Sequence, residues 1–310
     1  MLDTFKAPGR FWRGNLHGHS TASDGVLSPE DVCGAYRAAG YDFTTVSDHF
    51  RPSYNYPVTD TTAFRGDGFT TLIGAEVHAP ATEAGADWHI LAVGLPLDFA
   101  PPGPDEDGPA LARRCAAAGA FVAIAHPYWY GLTLADALSV DAAHAVEVYN
   151  HTSQVNCDRG DGLVMLDALL STGRPVTAIA VDDSHWKADD AFGGWVMVKA
   201  EANEPDTLLA ALKAGRFYAT QGPEIHDIAR EGDEIVVRCS AAASVMVLGP
   251  VSRNARVHGR ALTAARLPVA RFEGGWCRVA VVDAAGRRAW SNPLWLDDRP
   301  TPTPQERTLP

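Results

Sequence analysis

The chain has few cysteines, five in 310 residues, and Cys33, Cys115, Cys157, Cys239 and Cys277 are scattered with no Cys-x-x-Cys pair among them. That spacing excludes a disulfide framework or a thiolate zinc site, and it reads as reduced thiols in a cytoplasmic protein. Basic residues are also short: Lys and Arg number 26 against 38 Asp and Glu, a formal net charge of -12. This speaks against a long nucleic-acid footprint, although bound cations would make a site locally positive. No apolar run is long enough to span a bilayer, and Met1 to Lys6 lacks the apolar core of a signal peptide. There is no glycine-rich loop of nucleotide-triphosphatase type and no dinucleotide fingerprint.

What is present is a recurring pattern. Apolar runs end in imidazoles or carboxylates. Phe11 to Leu16 reads as a strand delivering His17 and His19, with Asp24 in the loop beyond. In an extended chain residues two apart point to the same side, so both imidazoles of His17-x-His19 can meet one ion. Ser28-Pro29-Glu30-Asp31 opens a helix that Gly40 stops. Strands are then expected at 42–47, ending near His49; at 70–75, ending at Glu76; at 88–95, with His89 at its start; at 121–125, ending at His126; at 145–149, ending at Asn150; and at 176–181, ending at Asp183 and His185. A further strand is expected at 195–200, and helices at 110–118, 134–138, 161–170 and 205–214.

Alternating apolar strands and helices argue for a parallel sheet covered by helices, closed or nearly closed, with chemistry at the C-terminal strand ends. Near Gln221-Gly222-Pro223 the character changes to short β-like runs at 235–239, 245–248, 267–272, 276–282 and 294–296. We therefore expect a barrel over 1–222, a small antiparallel β module over 223–298 and a disordered tail over 299–310.

Imidazole and carboxylate together suit zinc, iron or manganese. His17-x-His19, Asp24, Ser47-Asp48-His49, Glu76, Ala125-His126-Pro127 and Asp183-x-His185 resemble the ordered motif series of the PHP (polymerase and histidinol phosphatase) superfamily of metal-dependent hydrolases. Glu147-Val148-Tyr149-Asn150, Asp182-Asp183-Ser184-His185 and Gly215 to Ala219 are more narrowly similar to its CehA/McbA-like branch. That branch also carries a C-terminal β extension, often with a segment like Arg288 to Pro293.

The resemblance implies a distorted (β/α)7 barrel with two to three divalent ions. One ion would take His17, His19, Glu76 and Asp183; a second would share Glu76 and add His89 and His126; a third would take Asp24, His49 and His185. His78 competes with His89, and Asp182 with Asp183. A metal-bound hydroxide would be the nucleophile, with no protein nucleophile.

Arg51, Tyr128, Trp129, Asn150 and His151 are the candidates for substrate contact: a guanidinium for phosphate, aromatic rings for a base or an aryl group, and polar groups at a strand end. The leading expectation is a phosphoesterase acting on a small phosphate ester or nucleotide. A carboxyl-ester or carbamate hydrolase on the same metals is the rival. A non-catalytic metal-binding or regulatory module is the reading from another class. No membrane and no long nucleic acid is expected as partner, and oligomeric state is left open.

Overall fold

The structure is a computed structural model, and it describes residues 3–296. A single helical turn, α1 (Asp3–Lys6), precedes β1 (Arg10–Asn15). Ser28 caps α2 (Pro29–Ala38): its hydroxyl oxygen accepts from the Asp31 N–H at 3.1 Å. Pro29 fills the first helical position, where no donor is needed, and Gly40 turns the chain out at a φ of 79°. Next come β2 (Phe43–Val46), β3 (His49–Phe50), β4 (Thr70–Ala79) and β5 (Trp88–Val93). Asp107 caps α3 (Gly108–Ala117), which leads into β6 (Phe121–Ile124). Thr133 and Asp136 form a reciprocal capping box on α4 (Leu134–Ser139). After β7 (Ala145–Asn150) come α5 (His151–Cys157), α6 (Leu163–Ser171), β8 (Thr177–Val181), β9 (Trp195–Ala200), α7 (Pro205–Lys213) and β10 (Phe217–Thr220).

These strands lie in the order β10-β9-β1-β2-β4-β5-β6-β7-β8. Alternation along them separates two packing faces. Ile90, Val122 and Ile124 meet Leu111 of α3 and Leu166 of α6. Their neighbours Leu91, Phe121 and Ile179 meet Leu16, Phe43 and Val196 on the other face.

Two expectations need correction. The sheet is mixed: β1–β2, β2–β4, β6–β7 and β7–β8 are parallel, but β5 runs antiparallel to both neighbours and β9 antiparallel to β1. Residues 80–87 are too short a link for a parallel crossover, which takes a dozen residues or more. Nor does the ladder close. β8 ends the sheet, and its exit meets that of β1 through an isolated parallel bridge, Gly18 to Ser184. There the His19 N–H donates to the Ser184 carbonyl at 2.8 Å, and the Asp183 N–H to the His17 carbonyl at 2.9 Å.

Beyond Gly222 the chain is built from β11 (Ile225–Glu231), β12 (Glu234–Leu248), β13 (Asn254–Pro268), β14 (Trp276–Val282), β15 (Arg288–Ser291) and β16 (Leu294–Trp295), all in antiparallel pairs. The runs expected at 235–239 and 245–248 are one strand, β12, bent by register shifts around Ala242. The run expected at 267–272 breaks up, because 270–272 is a 3₁₀ turn. β13 went unseen because exposed Arg256, His258 and Arg260 interrupt its apolar pattern. β15 pairs with β10, so the sheet runs unbroken past residue 222. The tail expected at 299–310 lies outside the described residues. Among the described residues no helix is long and apolar enough to cross a membrane.

Candidate metal centre

The exit of β1 is pinned before it delivers anything. Asn15 is fully buried; its Nδ2 donates to the His17 carbonyl at 2.6 Å, and its Oδ1 accepts from the Asp182 N–H at 3.0 Å. The Gly18 N–H donates to Ser47 Oγ at 3.0 Å. This ties β1 to the exits of β8 and β2, and it sets the His17 and His19 rings 5.2 Å apart. Gly25 is required in the following loop, since a Cβ there would lie 2.6 Å from the His19 carbonyl oxygen.

Three groupings of donor atoms converge. His17 Nε2 and His19 Nε2 lie 3.2 and 2.8 Å from Asp183 Oδ1, and each lies 3.7 Å from Glu76 Oε2. His89 Nδ1 and His126 Nε2 approach the other Glu76 oxygen, Oε1, at 2.6 and 3.1 Å. His49 Nε2 and His185 Nε2 face Asp24 Oδ1 at 3.5 and 3.4 Å. Glu76 stands between the first two groupings with one oxygen toward each. All nine residues expected as ligands are thus brought together.

A further imidazole is also present. His78 is paired across the strands with His89 in the β4–β5 register, and its Nε2 lies 3.6 Å from Glu76 Oε2 and 2.9 Å from His49 Nδ1. The antiparallel turn-back of β5 explains why a residue at a strand start, His89, arrives beside Glu76 at the far end of β4.

The chemistry of the donors fits divalent ions. His17 Nε2 and Asp24 Oδ1 are buried with no hydrogen-bond partner, a state that buried polar atoms rarely keep without an ion or water; Glu76 Oε2 is ringed by imidazole nitrogens, with His49 Nδ1 at 2.5 Å. Two of the rear nitrogens are held. His17 Nδ1 meets Glu147 Oε1 at 2.7 Å, and His185 Nδ1 donates to the Asp183 carbonyl at 2.7 Å. Such backing contacts fix the tautomer and leave Nε2 free to ligate.

The electrostatics agree. Burial would raise Glu76, but His49, His89 and His78 hold it well below the usual carboxylate range. Burial works on Asp183 in the same way, and His17, His19 and His185 outweigh it. Burial pushes His19 down to about 4 and His78 down to about 3, which keeps both imidazoles neutral. His17 moves the opposite way. Burial alone would lower it, but Asp183 and Glu147 raise it well above its ordinary value. That is the negative field a cation would satisfy. Asp183 also sits at a φ of 58°, a strained conformation for a residue with a Cβ.

Carboxylates the sequence left unassigned hold the frame. Glu147 is 1% exposed; besides His17, its Oε2 accepts from the His126 N–H at 2.7 Å and from Asn150 Nδ2 at 3.0 Å. Asp48 accepts from the Ser20 N–H and from the hydroxyls of Ser20, Ser23 and Thr59. Asp182 accepts from Tyr36 and from the N–H groups of Phe192, Gly193 and Gly194. Its oxygens are therefore turned away from the histidines, and burial pushes it up to about 6.

A cavity of about 380 Å³ opens above the cluster, and Arg51, Trp129 and Lys187 line it together with His49, His126 and Asp183. Arg51 Nη2 lies 2.8 Å from His78 Nδ1, and Lys187 Nζ 3.0 Å from Asp24 Oδ2. The Trp129 ring stands 5.4 Å from His89 and 5.2 Å from His126. The other three expected contacts lie elsewhere. Tyr128 lines a separate hollow with Pro127, Leu132 and Met165. Asn150 is fully buried and donates to Glu147 and Asp183. His151 Nδ1 pairs with the Tyr149 hydroxyl at 2.9 Å. Thr152, Ser153 and Asn156 of α5 line the cavity instead. That helix was not foreseen, for its polar sequence has no apolar period.

No protein-family model and no curated protein matches the sequence. Solved structures do. One, from Bacteroides vulgatus, is described as a two-domain protein containing a predicted PHP-like metal-dependent phosphoesterase; it is 17% identical, with 89% of this chain and 93% of that chain covered and a TM-score of 0.53. A candidate metal-dependent phosphoesterase from Bifidobacterium adolescentis is 15% identical over 56% of this chain and 87% of that chain, with a TM-score of 0.40. An amidohydrolase from Chromobacterium violaceum, with bound sulfate and no metal, is 15% identical over 57% and 89%, with a TM-score of 0.43. The first likeness spans most of both chains and shows a shared fold, a mixed α/β architecture.

Proposed function

We propose that the chain is a metal-dependent phosphoesterase of the PHP kind, in its CehA/McbA-like branch, acting on a small phosphate ester or nucleotide. The observation that carries this is the set of buried, unpartnered donor atoms on His17 and Asp24 around the buried Glu76 carboxylate, backed by Glu147 behind His17. On this reading His17, His19, Glu76 and Asp183 hold one ion, Glu76, His89 and His126 a second, and Asp24, His49 and His185 a third. Manganese, iron or zinc suits the donors. Such ions supply an activated water and neutralise charge on substrate oxygens when bound.

The chain's own residues do the rest. Glu147 and the Asp183 carbonyl keep the imidazoles of His17 and His185 oriented. Arg51, whose Nε is buried without a partner, offers a guanidinium N–H to a phosphate oxygen. Lys187 adds a second positive charge at the rim. Trp129 favours an aryl or base group beside the phosphate, and that same ring supports the second reading, an aryl carbamate or carboxyl ester. We further read residues 1–222 as the metal-binding domain, 223–298 as a β module and the location as cytoplasmic.

Elemental analysis of the purified protein, with assays on a bis-aryl phosphate, an aryl monophosphate and an aryl carbamate, tests the proposal. We expect two to three metals per chain, and phosphate-ester turnover that His17→Ala abolishes. Carbamate cleavage alone would select the second reading. Absence of both metal and turnover would leave a binding module.

A further inference from the structure

A second cavity, of about 320 Å³, lies between α6 and the strands of the C-terminal part. Arg253, Arg256, Arg278, Asp167, Met246 and Leu248 are among the residues that line it. Among the described residues three arginines thus line it with one carboxylate, in a protein whose overall charge is -12. The carboxylate is already engaged: Asp167 takes Arg278 Nε at 2.7 Å and Nη2 at 2.8 Å. Arg278 is only 4% exposed, and its Nη1 is buried without a hydrogen-bond partner. Among the described residues Arg256 reaches no acid; its Nη1 donates to Asn254 Oδ1 at 2.6 Å. Arg253 is exposed and lies on the same wall.

A guanidinium held by one carboxylate, with a donor left over, is half of a two-anion arrangement. We propose that this cavity binds a phosphate group, free or on a small ester, through Arg278, Arg253 and Arg256. The two uncompensated cations match a dianion. Met246 and Leu248 give an ester's apolar part a surface to rest on. The site is separate from the metal cavity and does not depend on what is hydrolysed there. Because it joins Asp167 of α6 to Arg278 of β14, its occupant would tie the C-terminal strands to the helical layer.

Calorimetric titration of the full metal-containing chain with inorganic phosphate and with phenylphosphonate, which has no ester bond for the metal centre to hydrolyse, tests this. Arg253→Ala/Arg256→Ala removes two exposed side chains and should fold normally, which circular dichroism checks. We expect a saturable site that this double variant weakens at least about tenfold and that Arg51→Ala leaves unchanged. Equal affinity for the two ligands at the site the double variant weakens would mean that the free ion suffices; tighter phenylphosphonate there would mean an ester. The proposal fails if the double variant binds phosphate like the parent, if Arg51→Ala removes all phosphate binding, or if acetate binds as tightly.

Discussion

Glu147 makes three hydrogen bonds, and none of them faces the cavity. Its two oxygens are shared between the His17 ring, the His126 N–H and Asn150, so it needs acceptor capacity on both. Glu147→Gln must turn a donor toward either His17 Nδ1 or the His126 N–H. Loss of such a backing carboxylate weakens metal binding roughly 10–100-fold, and competition with a chromogenic chelator reads this directly. Unchanged affinity would mean that His17 is not held for an ion. The cysteines make an independent case at the same scale. Burial pushes the thiols of Cys33, Cys115 and Cys277 up to about 12, and Cys239 is buried as well. Only Cys157 is exposed, on α5. An aromatic disulfide reagent should therefore titrate one thiol in the native protein and five after denaturation. Most of the proposed ligand residues were legible in the sequence because they end an apolar run; His89 instead opens one, and Asp24 lies in a loop. Glu147 was not assigned, for it lies inside the run Val146 to Val148 and looks like any buried strand position.

α2 is anchored by one side chain. The Tyr36 hydroxyl donates to Asp182 at 2.8 Å and accepts from Asn15 Nδ2 at 2.9 Å, so the helix is bonded to the two strand exits that carry His17 and Asp183. Tyr36→Phe keeps the ring and leaves both partners short of a bond. We expect a loss of about 1–3 kcal/mol, read from the urea midpoint. Ser28→Ala, which removes only the helix cap, should cost about 1 kcal/mol. A Tyr36→Phe loss no larger than that of the cap would show that the exits hold themselves. The start of α2 was readable from Ser28-Pro29-Glu30-Asp31, where capping chemistry is local. The direction of β5 was not. Its apolar residues fit a parallel or an antiparallel neighbour equally, and only the short link through 80–87 separates the two. β13 escaped notice for another reason: packed on one side only and rich in arginine, it shows the pattern of a solvated loop.

The proposed metal ligands are drawn from strands that hydrogen bonding does not close into a ring. His17 and His19 follow β1, His49 opens β3, Glu76 lies in β4, His89 in β5, and Asp183 and His185 follow β8. Between β1 and β8 the backbone supplies only the bridge of Gly18 with Ser184. Ions shared by His17, His19 and Asp183 would cross-link that seam. The field that raises His17 comes from carboxylates gathered at one centre, Asp183 and Glu147 foremost, and a bound cation would offset it. Removal of metal should therefore destabilise the whole chain and not the cavity alone. Any ligand that binds only the folded state stabilises it by mass action, about 4 kcal/mol at a thousandfold excess over its dissociation constant. For a chain of this size we expect chelation to lower the Tm by about 5–10 °C, with manganese or zinc restoring it in scanning calorimetry. The Glu147→Gln variant should recover less of that shift at equal metal concentration. An unchanged Tm on chelation would mean that the β1–β8 seam is held by the bridge and the buried apolar faces, and that the clustered imidazoles carry no ion.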